Sequence, residues 1–223
     1  MSQLALVPEK VYHVYTHANG FENLFYNEDN YHYFLRKYEE YILPIGETYA
    51  YCLMPNHIHF MIKIRSEKEI LEYLRLKRLN KLKEQGIEEE ESADEKRNLQ
   101  NSKNLGGISA NISKQFSNLF NAYTKAINKK LNRKGSLFTP NFKRKEINDD
   151  RYMKQLIAYI HKNPVHHGFT SKLTDWPYCS YHNYISEERA FINCQYMYDW
   201  FGSKELFVDF HKKIQLPVKL VLD

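Results

Sequence analysis

The stretch TYAYCLMPNHIHFMIKI constrains this chain more than any other. Two apolar runs rich in aromatic and β-branched residues, Thr48–Met54 and His57–Ile64, are separated only by Pro55 and Asn56. A two-residue break of that chemistry reverses the chain, so the stretch predicts an antiparallel hairpin. The apolar run FMIKI makes its second arm a buried strand.

The flanking segments extend the pattern. Lys10–His17 alternates and is rich in Val, Tyr and Thr, which predicts a strand, and Asn19-Gly20 ends it. Asn27 is a candidate N-cap for a helix to about Leu43, ended by Pro44 and Gly46. Glu67–Lys83 and Ile108–Leu131 have helical periodicity. Phe142–Ile147 reads as a short basic strand, and Asn148 or Asp149 caps a helix to about Lys162 that Pro164 stops. The expected fold is α+β: a central antiparallel sheet of four or five strands with helices mainly on one face. The strand–helix–hairpin order suits a ferredoxin-like or RRM-like arrangement. Residues 1–185 would form the main domain, with an acidic, mobile insertion near 85–107. Residues 186–223 would form a helical extension, with helices near Gln195–Phe201 and Lys204–Lys213.

At 223 residues, 43% hydrophobic and 26% charged, the chain can bury a core without disulfides. Cys52, Cys179 and Cys194 form neither a zinc spacing nor a disulfide framework, so core packing is expected for all three. No apolar stretch is long enough to span a membrane, and MSQLALVPEK lacks a signal-peptide pattern, which makes the cytoplasm the expected compartment. The net charge is +5, but residues 104–172 hold 13 Lys or Arg against 3 Asp or Glu. Such an excess suits an anionic polymer, although for charge alone a solvated basic surface is the better reading. The 18 Tyr and 13 Phe suit stacking on unpaired bases.

Two motifs carry candidate chemistry. His57 and His59 are two apart in a strand and so point to one face, where they could share a divalent ion. An isolated pair of this kind is more often structural. In AYIHKNPVHHG, Tyr159 and Asn163 are four apart and share a helical face, while His161 points elsewhere. Asn163 offers a carbonyl oxygen to a hard cation, and Tyr159 a hydroxyl to an electrophile. Core packing of Tyr159 and a helix-end role for Asn163 are the competing readings. Tyr152 lies on a similar face and is a rival nucleophile.

The elements YHVYTHANG, MPNHIHF, GSLFTPNFKRK, YIHKNPVHHG and WPYCSY, over roughly residues 8–185, resemble the single-tyrosine HUH transposases, in particular the REP-associated tyrosine transposases. The resemblance implies that His57 and His59 are the metal pair, Tyr159 the nucleophile and Asn163 the third ligand, with Mg²⁺ or Mn²⁺ as cofactor. The implied reaction is cleavage and joining of single-stranded or hairpin DNA through a 5′-phosphotyrosine. No nucleotide cofactor is needed, and no GxxxxGK[ST] loop is present. Arg133, Lys134, Lys143, Arg144 and Lys145 are the phosphate-contact candidates. Insertion-sequence members of this family act as dimers. Here a monomer that completes its site in cis is favoured over a homodimer, because no second long apolar stripe demands a partner. The alternatives are a domesticated, non-catalytic hairpin-binding protein and a hydrolase that uses water, which would form no protein–DNA adduct.

Overall fold

In the computed structural model of the chain, residues 4–86, 105–186 and 191–216 are described. Four strands form one antiparallel sheet: β1 (Val11–His17), β2 (Gly46–Leu53), β3 (His57–Ile64) and β4 (Lys143–Glu146). Their order is β2-β3-β1-β4, with the hairpin β2–β3 on one side and β4 at the far edge. Helix α1 (Glu28–Tyr41) connects β1 to β2, and α2 (Glu67–Glu84) and α3 (Leu105–Lys130) lie between β3 and β4. This is the ferredoxin-like order, with α4 (Asp150–His166) added after β4.

Local chemistry accounts for the boundaries. Asn27 caps α1 by accepting from the Asn30 amide, and Ser66 with Glu69 forms a capping box at the start of α2. Asp149 caps α4 through the amides of Arg151 and Tyr152. A Cβ at Gly46 would stand 2.6 Å from Ile62 Cγ2, so the close approach of β2 to β3 requires glycine there. Pro164 does not stop α4 as its sequence suggests: the helix continues to His166 with the proline in its last turn. There the missing N–H removes only one bond, the one to the Ile160 carbonyl, and the turn is still closed by the His167 amide donating to the Asn163 carbonyl at 3.0 Å. Residues 87–104 of the acidic insertion lie outside the described residues, while 105–107 open α3.

Alternation along β3 divides the core in two. Ile58, Phe60 and Ile62 face α1 and α3, where Phe34 and Tyr38 stack on Phe60 and Tyr123 meets Phe34 edge-on. His57 and His59 face the other way, towards α4. Helices therefore cover both faces, with α1 and α3 behind the sheet and α4 in front.

Among the described residues three short α-helices follow α4 and a 3-10 turn at Leu173–Asp175: α5 (Tyr181–Ile185), α6 (Cys194–Phe201) and α7 (Lys204–Lys213). A buried polar chain ties them to α4. His161 Nδ1 lies 2.9 Å from His211 Nε2, and His161 Nε2 lies 2.8 Å from Ser180 Oγ. Ser180 Oγ in turn accepts from the Tyr51 amide on β2. Tyr184 stacks on Phe207 at 4.2 Å, closing the apolar part of the same contact. Cys52 and Cys179 are buried free thiols and Cys194 is half-buried.

Candidate active site

The register of β1 on β3 brings the histidine pair into a larger cluster. His17 faces His57 and Tyr15 faces His59 across the strands, and β4 places Lys143 beside Tyr15 and Lys145 beside His13. All of these side chains share the face covered by α4. Rings of His17 and His57 are 5.0 Å apart, those of His57 and His59 5.2 Å, and those of His57 and His167 4.8 Å. Sequence reading selected His57 and His59 but missed His13, Tyr15, His17, Asn56 and His167. The alternation HVYTH in β1 was the available signal for the first three, since period-two spacing puts His13, Tyr15 and His17 on one face.

From the other side α4 presents Tyr159 and Asn163, one turn apart. The Tyr159 ring meets His59 edge-on at 5.4 Å and His13 at 6.4 Å, all within one chain. Tyr152 lies two turns earlier, under Lys145, whose Nζ sits 4.3 Å from its ring centroid. Tyr159, not Tyr152, is therefore the tyrosine at the histidine pair. The site is tightly closed: Tyr159 is 3% exposed, His59 1% and Asn163 0%.

Burial sets the protonation states. It pushes His57 down to about 4 despite the opposing Asn163 contact, and it holds His59 well below the ordinary imidazole range. His13 is pushed down to about 3, first by burial and then by Lys145. All three rings are neutral at pH 7, which is the form that ligates metal. His57 Nδ1 lies 2.8 Å from Asn56 Oδ1, so the proton belongs on Nδ1 and a lone pair on Nε2. That lone pair faces Asn163 Oδ1 at 2.9 Å, two acceptors in contact, while buried Asn163 Nδ2 has no hydrogen-bond partner among the described residues. In the ion-free protein a rotated amide would relieve this contact. As placed, the two atoms stand about as far apart as neighbouring ligands of one octahedral ion with bonds near 2.1 Å. His59 Nδ1 bonds His13 Nε2 at 2.9 Å, leaving His59 Nε2 as its ligating atom and His13 as the support that orients it. His57, His59 and Asn163 together could hold a hard divalent ion. Among the described residues no group of three or more His, Cys, Asp or Glu has metal-holding geometry.

The five basic candidates separate. Lys143 and Lys145 are exposed and stand on the histidine face, with Lys143 Nζ 5.7 Å from the Tyr15 ring centroid. Lys134 is exposed in the loop after α3. Arg133 is 14% exposed and tied to Glu22, Asn128 and the Ser136 carbonyl, so it braces that loop. Arg144 points to the opposite face, where it donates to Ser113 Oγ at 2.8 Å and lies over Phe142. The cause is strand alternation: Lys143, Arg144 and Lys145 cannot all face one way.

Fold and site define a ferredoxin-like domain in which two strand histidines face a tyrosine-bearing helix. No family model matches the chain. Over 162 residues it is 24% identical to a protein of Haemophilus influenzae (strain ATCC 51907 / DSM 11121 / KW20 / Rd) named "Putative REP-associated tyrosine transposase", covering 72% of this chain and 69% of that protein. A solved structure described as a REP-associated tyrosine transposase bound to a REP hairpin aligns over 83% of this chain and 84% of its own, with TM-score 0.49 and 15% identity. Among the described residues no helix is long and apolar enough to cross a membrane.

Proposed function

We propose that this protein is a metal-dependent endonuclease and strand transferase acting on single-stranded or hairpin DNA through a 5′-phosphotyrosine. The observation that carries this reading is the placement of Tyr159 against His59, with Asn163 one turn on against His57. When bound, Mg²⁺ or Mn²⁺ supplies positive charge beside a non-bridging phosphate oxygen. His57, His59 and Asn163 hold the ion, and His13 orients His59. Lys143 and Lys145 draw the strand along the edge of the sheet by its phosphates.

Tyr159 Oη attacks phosphorus in line with the 3′-oxygen. A P–O bond to tyrosine forms, the P–O3′ bond breaks, and the phenolic proton is lost to solvent or a base. The leaving 3′-oxygen takes up a proton and becomes a free hydroxyl. Rejoining reverses the step with a 3′-hydroxyl as nucleophile. One ester replaces another, so no nucleotide cofactor enters.

The non-catalytic alternative draws on one observation, the burial of Tyr159, which has to become accessible for a phosphate to reach it. One experiment tests both readings. Labelled hairpin DNA with unpaired flanks is incubated with the protein and Mg²⁺, then run on a denaturing gel. A covalent adduct that vanishes with Tyr159→Phe supports catalysis. Binding without any adduct supports the alternative.

A further inference from the structure

Behind the edge strand, on the face opposite the histidines, lies a cavity of about 250 Å³ between α3 and the loop 136–142. Phe120, Phe138 and Phe142 form its apolar wall, with ring centroids 4.8 Å apart for Phe120–Phe138 and 5.6 Å for Phe120–Phe142. Its rim is polar: Ser113, Ser117, Asn121, Thr124 and Asn141. Asn141 is held at φ +61°, a left-handed conformation that asparagine tolerates better than most residues. The volume falls below the roughly 300–1,000 Å³ of sites for drug-sized ligands, so it suits one flat ring system rather than a whole cofactor.

We infer that this cavity is a nucleobase-reading subsite, taking one unpaired base of the DNA strand whose phosphate reaches Tyr159; the inference rests on the function proposed above. Three features point to a base. The phenylalanine wall is apolar and aromatic, which suits any base, although Phe120, Phe138 and Phe142 are only 8%, 5% and 8% exposed and would meet it over a small area. The hydroxyls and amides of the rim donate and accept, which is what reading a base edge requires. The cavity is also joined to the histidine face. Its wall residue Phe138 bridges to Ala18, and the Thr139 amide donates to the carbonyl of His17 at 2.9 Å, the residue whose ring stands beside His57. Phe142 immediately precedes Lys143, and the two side chains lie on opposite faces of the edge. A strand held by Lys143 can therefore pass round that edge and place a neighbouring base behind it.

The test is selection from a pool of DNA hairpins that carry eight randomised unpaired nucleotides beside the stem. Wild type, Ser117→Trp and Asn121→Ala are compared. Ser117 and Asn121 are exposed, so neither change disturbs the core. The expected result is a base preference at one unpaired position with wild type, lost with both variants. Affinity for the selected sequence should fall about tenfold, within the range for one stacked base. Melting temperature should be unchanged. Wild type and variants selecting the same bases at every position would overturn the subsite while leaving the proposed function intact. Wild type selecting no DNA at all would overturn both.

Discussion

Lowering the pH from 7.5 to 5.5 should destabilise this protein severely. His13 is held down to about 3, and His57 and His211 to about 4, chiefly by burial. A histidine whose folded value lies below its unfolded value near 6.5 stabilises the fold above that value. The contribution is lost as pH falls from about 6.5 towards the folded value, because only the unfolded chain takes up the proton. Each such group costs about 1.3 kcal/mol between pH 7.5 and 5.5, and the three together about 4 kcal/mol. His59 and His161 are pushed down further and add to this. The carboxyls of Glu40 and Glu69 are themselves held low, so they titrate below this window. For a chain of this size about 4 kcal/mol lowers Tm by about 8–16 °C. Circular-dichroism melts in EDTA at the two pH values measure it, since a bound ion would hold the site histidines neutral. His211→Gln should remove its own share of the pH dependence. A Tm that stays level or rises on acidification would refute the claim that these rings are buried and neutral.

Tyr159→Phe should abolish the covalent adduct and leave DNA binding within about twofold, because only the nucleophilic oxygen is lost; an adduct that survives would move the role to Tyr152. His13→Ala should weaken Mn²⁺ binding by about 10–100-fold without removing a ligand, measured by isothermal titration; unchanged affinity would mean that His13 does not orient His59. Lys143→Ala and Lys145→Ala should each lower the slope of log K against log salt by about 0.7–0.9 in single-strand binding. Arg144→Ala should chiefly lower Tm, and an equal salt effect from it would contradict its placement on the rear face. Mixing His57→Ala with Tyr159→Phe should not restore cleavage if each site is completed within one chain, and recovery would show sharing between protomers.

Much of the frame was legible because period-two and period-3.6 patterns were strong where burial is strong. The Pro55–Asn56 reversal, the cap at Asn27 and the basic strand before α4 all followed from local chemistry. The end of α4 did not, because a proline in a final turn breaks little. The candidate site was legible where its residues are close in sequence, as with His57 and His59 or Tyr159 and Asn163. Its supporting residues were not, since His13 reaches His59 only through the register of β1 on β3. The basic cluster misled for a related reason. Adjacent charges on a strand point in opposite directions, and a count of charge carries no direction.

The hydrogen-bonded link from His161 through His211 and Ser180 bears on how the protein can be shortened. A fragment ending near residue 186 would keep every motif of the candidate site and lose α7. It would strand His161 Nδ1 in the interior, where an unsatisfied polar atom costs about 1–3 kcal/mol, and would bare the Tyr184 ring that Phe207 covers. His161 lies two residues from Tyr159 on the same helix, so slack introduced there would spread into the candidate site. The motif-sized piece would then be a poor surrogate for the whole chain in any activity assay, and its silence would say nothing about catalysis.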